Sequence, residues 1–133
     1  MKHLLASAAI LTLTFNGCRP QFDVHDLVGT YAAEYPFGRE AISLQSDGTY
    51  RQEVVVSGSP KPAIHTGSWK YDQGSGRVTL DGCLVVSNGF GELNKDYLTP
   101  RSGLCVFPIE RSYVWAGKIR FGSGAGHPHI RQN

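Results

Sequence analysis

The chain predicts an all-β fold, an antiparallel up-and-down meander forming a small closed or half-open β-barrel. Three observations carry this. From Leu27 onward apolar residues recur mostly with period two and almost never with the 3.6-residue period of an amphipathic helix. Glycine and proline are plentiful, 16 and 7 of 133 residues, and many fall between the alternating runs as turn signals. The runs follow one another as hairpins, and closing such a meander removes the sheet edges that would otherwise invite aggregation.

The first strand reads as Val28 to Tyr35, ended by Pro36 and Gly38. Ala41 to Gln45 and Thr49 to Val56 form the clearest hairpin, about Asp47-Gly48. A two-residue turn would set Leu44 opposite Arg51 and mix core with solvent positions. A three-residue Ser46-Asp47-Gly48 loop, with Gly48 left-handed, pairs Leu44 with Tyr50 and keeps the apolar residues together. Ser57 to Pro62 is a proline-bearing loop. Ile64 to Asp72 is a strand with Gly67, Trp69 and Tyr71 on one face. Gln73 to Gly76 turns into Arg77 to Leu80, where Val78 and Leu80 point inward. Gly82 breaks the pattern, and Cys83 to Ser87 continues it as a bent or bulged strand. Asn88 to Gly103 is the longest non-periodic segment, a length often functional in compact domains. Leu104 to Ile109 and Ser112 to Phe121 close the sheet, the latter with Tyr113, Trp115, Gly117, Ile119 and Phe121 on one face. Residues 123–133 read as a flexible tail.

Ahead of the strands, residues 1–17 have the order of a secretory signal peptide. Lys2 and His3 give a basic head, Leu4 to Phe15 an uncharged apolar run, and Gly17 a small residue before Cys18. The ending resembles the lipobox of bacterial lipoproteins, with Phe15 and Asn16 where that pattern carries an aliphatic and a small residue. The resemblance implies cleavage before Cys18, acylation of that cysteine by palmitate-type chains and residues 18–26 as a membrane tether. Arg19, in place of Asp, resembles outer-membrane sorting for a Gram-negative cell. The same order also fits an ordinary signal peptide cut after Ala6, Ala8 or Ala9, which would leave Cys18 a plain thiol.

Removing residues 1–17 from the 133 leaves 116, one domain (27–122 for the barrel) with a modest core. Without Lys2 the 13 basic side chains become 12, against 11 acidic. That balance, with the basic residues scattered singly, gives no electrostatic case for nucleic acid. With Cys18 assigned to the lipid, Cys83 and Cys105 remain as an even pair. An oxidising compartment favours a disulfide between them, the alternative being two buried thiols in neighbouring strands.

The strings Leu27-Val28-Gly29-Thr30-Tyr31, Leu44-Gln45-Ser46-Asp47-Gly48-Thr49-Tyr50 and Thr66-Gly67-Ser68-Trp69-Lys70-Tyr71, followed by Val78-Thr79-Leu80, resemble small bacterial lipocalin-like (calycin-type) lipoproteins. The resemblance covers Leu27 to Leu80. It implies an up-and-down barrel in the cell envelope, exported and lipid-anchored, with functions that vary widely. Tyr31 stands where a lipocalin has the tryptophan that plugs one end of its barrel. In general make-up the chain also resembles small periplasmic inhibitors of proteases or lysozyme, compact barrels with a disulfide.

No catalytic motif is present: no G-x-S-x-G, no H-E-x-x-H, no P-loop and no dinucleotide fingerprint. His25 and His65 read as solvated or core-edge residues. His127-Pro128-His129 sets two imidazoles on alternate positions, but a third ligand is missing, so no metal or other cofactor is expected. The remaining candidates are the inward aromatics Tyr31, Tyr50, Trp69, Tyr71, Tyr113 and Trp115. They read as barrel core, or as the lining of a pocket whose phenol and indole hydrogens orient a small apolar ligand. The expectation is a non-enzymatic envelope lipoprotein that binds a small apolar ligand or a protein. The alternative is a periplasmic inhibitor or adaptor acting through surface loops, with Asn88 to Gly103 as its reading edge.

Overall fold

The structure, a computed structural model, describes residues 22–111, 118–122 and 127–133. After a single helical turn, α1 (Val24–Leu27), come eight strands: β1 (Gly29–Tyr35), β2 (Gly38–Leu44), β3 (Thr49–Val56), β4 (Ala63–Asp72), β5 (Arg77–Cys83), β6 (Arg101–Arg111), β7 (Ile119–Phe121) and β8 (His129–Arg131). Each pairs antiparallel with the next, and β8 returns to β1 through Tyr31–Arg131 and Ala32–Ile130, closing the barrel. The predicted all-β up-and-down barrel is the observed one.

Local chemistry accounts for the register. Leu44 pairs with Tyr50, Gly48 has φ 83°, and the Gly48 N–H donates to the Gln45 carbonyl at 3.1 Å. This is the bulged three-residue turn expected from the sequence. Asp47 fixes it by accepting from the Thr49 N–H at 2.9 Å and its hydroxyl at 2.6 Å. Between β5 and β6 the register shifts at Asp81/Cys83, where Gly82 has φ 73°. Pairing resumes at Cys83–Arg101 and β5 ends there, short of the continuation to Ser87 read from the sequence. Cys83 and Cys105 are disulfide-bonded across this pair of strands.

Two expectations are corrected. The flexible tail predicted for residues 123–133 ends in β8, because three residues are too short to show alternation and this strand is held by non-local pairing. Arg131 adds hydrogen bonds to the Asp26 and Val28 carbonyls. The tether predicted for residues 18–26 is also packed down over its described part, since Phe22 is buried in the core with the Arg111 guanidinium 5.3 Å from its ring centroid. Of the predicted Ser112–Phe121 strand, β7 covers the last three residues, with Ile119 and Phe121 inward as expected. Tyr113 and Trp115 lie outside the described residues, as does Cys18.

An up-and-down barrel has two distinct ends. The proximal end, where the chain enters, is filled by Phe22, Leu27, Tyr31, Ile42, Leu44, Tyr50, Trp69, Val78, Leu80, Ile109, Ile119 and Phe121. The odd strands β1, β3 and β5 run away from it. Their outgoing connections, including the long excursion of residues 84–100 between β5 and β6, therefore lie at the distal end. There a second cluster joins Val54 of β3 to Leu84 and Val86 of the excursion, with Tyr35, Phe37, Val56, Ala63, Leu93 and Tyr97 packed around them.

Candidate functional site

The described aromatics expected to face inward do so, and their polar atoms are already engaged. Tyr31 is completely buried, stacks on Phe121 at 3.8 Å between centroids and donates its hydroxyl to the Leu27 carbonyl at 2.7 Å. Tyr50 donates to the Gly82 carbonyl, and Trp69 Nε1 to the Gln45 carbonyl at 2.8 Å. The half-buried Tyr71 accepts from the Phe22 N–H at 3.4 Å. Burial pushes the Tyr31 phenol up to about 12 against the opposing pull of Arg131. The Tyr50 phenol also rises to about 12, from burial and then the Asp81 charge. These four side chains tie the proximal core to main-chain groups, three by donating to carbonyls and Tyr71 by accepting from an N–H, which is the packing of a filled barrel end.

Between the two apolar clusters lies a polar layer that the sequence reading did not single out. Glu40 of β2 is only 4% exposed. Its Oε1 accepts from Gln52 Nε2 at 2.5 Å, and its Oε2 accepts from the Tyr35 hydroxyl at 3.0 Å. Oε2 also lies 2.9 Å from His129 Nε2, an ion pair when the imidazole is protonated, although no linear N–H hydrogen bond joins them. Burial alone would raise the Glu40 carboxyl. His129, Gln52 and Tyr35 together outweigh it and hold the group below its ordinary 4.5. Burial, and then the Glu40 charge, drives the Tyr35 phenol far upward.

Gln52 of β3 carries this layer to the excursion. Its Nε2 donates to the Leu84 carbonyl at 2.9 Å, and its Oε1 accepts from the Leu84 N–H at 2.7 Å. One side-chain amide thus imitates a strand neighbour for Leu84. His65, opposite Gln52 on β4, is also turned inward, and its buried Nε2 has no hydrogen-bond partner among the described residues. A phase signal for this layer exists in the sequence: Glu40, Ile42 and Leu44 alternate together, as do Tyr50, Gln52 and Val54. His127 and His129 do not converge. His127 is exposed with its ring 5.0 Å from Tyr35, while His129 turns into the barrel. Among the described residues no group of three His, Cys, Asp or Glu side chains is placed to hold a metal ion. No helix among them is long and apolar enough to cross a membrane.

The excursion itself is ordered by its own polar groups. Ser87 and Leu93 form an antiparallel bridge, the Asn88 N–H donates to the Glu92 carbonyl at 3.1 Å, and the Asn94 N–H donates to the Val86 carbonyl at 2.8 Å. Asn94 Nδ2 adds a bond to the Val85 carbonyl at 2.9 Å. The tip is Asn88-Gly89-Phe90-Gly91-Glu92. Gly89 and Gly91 take φ 87° and 82°, a left-handed conformation that L side chains rarely adopt. The Phe90 N–H donates to Asn88 Oδ1 at 2.9 Å, which fixes the backbone under a phenyl ring that is 89% exposed. At the base of the excursion, where it meets the start of β6, an open cleft of about 610 Å³ is lined by Val85, Asn94, Asp96 and Arg101 among others. The sequence located this segment by its length and glycines; the tip geometry comes from the structure.

Compared with protein-family models, with curated proteins and with solved structures, the chain matches none.

Proposed function

We propose that this protein is a non-enzymatic, lipid-anchored component of the bacterial envelope, an adaptor or inhibitor that docks a protein partner through the tip of the excursion. The lipocalin-like reading supplies the anchored barrel and the periplasmic-inhibitor reading the mode of action. One observation carries the proposal: an aromatic side chain almost wholly in water at the apex of a hydrogen-bonded hairpin. A single exposed hydrophobe on a surface is ordinary. Phe90 differs because its backbone is fixed, so burial in a partner's pocket costs little ordering entropy, the property of an interface anchor.

The direction of the tip fits the anchor. A chain tethered at Cys18 enters the barrel at the proximal end, so the excursion faces away from the membrane that holds it. A small apolar ligand at Tyr31, Tyr50, Trp69 and Tyr71 is disfavoured, because Tyr31, Tyr50 and Trp69 spend their donors on main-chain carbonyls and Tyr71 already accepts from the Phe22 N–H. Among the described residues the polar neighbours of the Glu40–His129 pair are Tyr35 and Gln52.

Affinity capture from envelope extract, using the full-length tagged protein and its Phe90→Ala variant, tests the reading. We expect one dominant co-purifying protein with the parent chain and at least a roughly tenfold loss with the variant, at unchanged thermal stability. Equal recovery by both proteins would remove Phe90 as the anchor.

A further inference from the structure

The excursion has a second property, independent of what Phe90 meets. Its first residue is gripped inside the barrel by a side-chain chain that ends on a single ionisable group. Gln52 is oriented by its neighbours: an ionised Glu40 accepts only, so the Gln52 NH₂ must face it, and Oε1 is left for the Leu84 N–H. With Nε2 also donating to the Leu84 carbonyl, every polar atom of the amide is used. Reversing the amide would set its NH₂ against the Leu84 N–H, donor against donor.

We infer that Glu40, Gln52 and Leu84 form a proton-operated latch that seats the excursion in the barrel mouth while Glu40 is ionised and releases it when Glu40 is protonated. Among the described residues three side chains face Glu40. Tyr35 of β1 donates to it, Gln52 of β3 donates to it, and His129 of β8 lies against it. Arg39, its neighbour on β2, turns outward to pair with Glu34 at 2.8 Å. His127 lies against the Tyr35 ring, and His65 lies beyond Gln52 on β4. The contribution from the excursion is main chain at Leu84 and apolar side chains around it.

Protonation replaces the charge-assisted bond from Gln52 with a weaker neutral one. It also strips a protonated His129 of its counter-charge in a buried site. The sign follows from Glu40 being held below 4.5 in the folded protein. The latch is fully engaged above that value and disengages as pH falls through the lower, folded one. Release exposes Leu84, Val86 and Val54 while leaving the proximal cluster packed.

Amide hydrogen exchange on the full-length protein from about pH 6 to about pH 3, corrected for intrinsic rates, reads this directly. The Leu84, Asn88 and Asn94 amides are expected to lose protection by at least about tenfold across the lower part of that range. The Ile42 and Leu44 amides should keep theirs. In Glu40→Gln, protection of the excursion should be independent of pH. Constant protection of the excursion in the parent protein, loss in step with Ile42 and Leu44, or an unchanged transition in Glu40→Gln would each overturn the latch. Should Glu40→Gln fail to fold, the parent series still decides.

Discussion

Tyr31 shows how a single side chain reconciles burial with polarity. Its ring fills the proximal core against Phe121, and its hydroxyl reaches the Leu27 carbonyl at the end of α1. Tyr31→Phe keeps the ring and leaves that carbonyl without this donor, so it should cost about 1 kcal/mol in urea unfolding, with little change in the slope. Arg131 acts from the other side, joining β8 to the Asp26 and Val28 carbonyls. The inward aromatics were legible in the sequence because strand phase assigns them a face. Glu40, Gln52 and His65 occupy equally regular inward positions. They escaped notice because a polar residue in a short strand reads as solvent-facing until the opposite wall is known. His129 was hidden differently, in a segment too short to show any phase.

At the scale of elements, the β2–β3 hairpin was readable in full, since one pairing choice kept Leu44 and Tyr50 on the same face. Gly67 was also placed correctly beside Trp69 and Tyr71, but the reason for glycine there is tertiary. A Cβ at that position would lie 2.7 Å from the Asp81 carbonyl oxygen and 2.8 Å from the Tyr50 ring. The excursion is the element whose stability can be isolated. The Cys83–Cys105 bridge, between residues 22 apart in sequence, ties the end of β5 to the body of β6 and so closes the loop that contains the excursion. The Cys83→Ser/Cys105→Ser double variant should lose about 3 kcal/mol in denaturant unfolding at neutral pH, on the chain-entropy argument. A loss well under about 1 kcal/mol would mean that the Gln52 and apolar contacts of the excursion hold that loop closed without the bridge. Strand alternation gave no access to the tip, because two left-handed glycines and an asparagine turn have no period.

For the whole molecule, the barrel divides by height into a filled apolar base, a buried polar layer and a mouth closed by its own chain. That order places chemistry away from the base and presents an ordered hairpin at the far end. The distinction between the ends follows from topology alone, because an up-and-down meander sends every odd strand in one direction. The sequence revealed the meander, and with it the side on which the longest connection had to emerge. The closure of the barrel by β8 was out of reach, since it depends on contacts with β1 almost a hundred residues away.

The central claim is that partner contact occurs at residue 90 and at the distal end. Site-specific photocrosslinking in intact cells tests it most directly, with the photoreactive side chain placed at Phe90 in one protein and at Lys70, on the outer barrel wall, in another. The account predicts a discrete protein adduct from position 90 and none from position 70. Adducts from position 70 alone, or from position 90 to lipid alone, would contradict it.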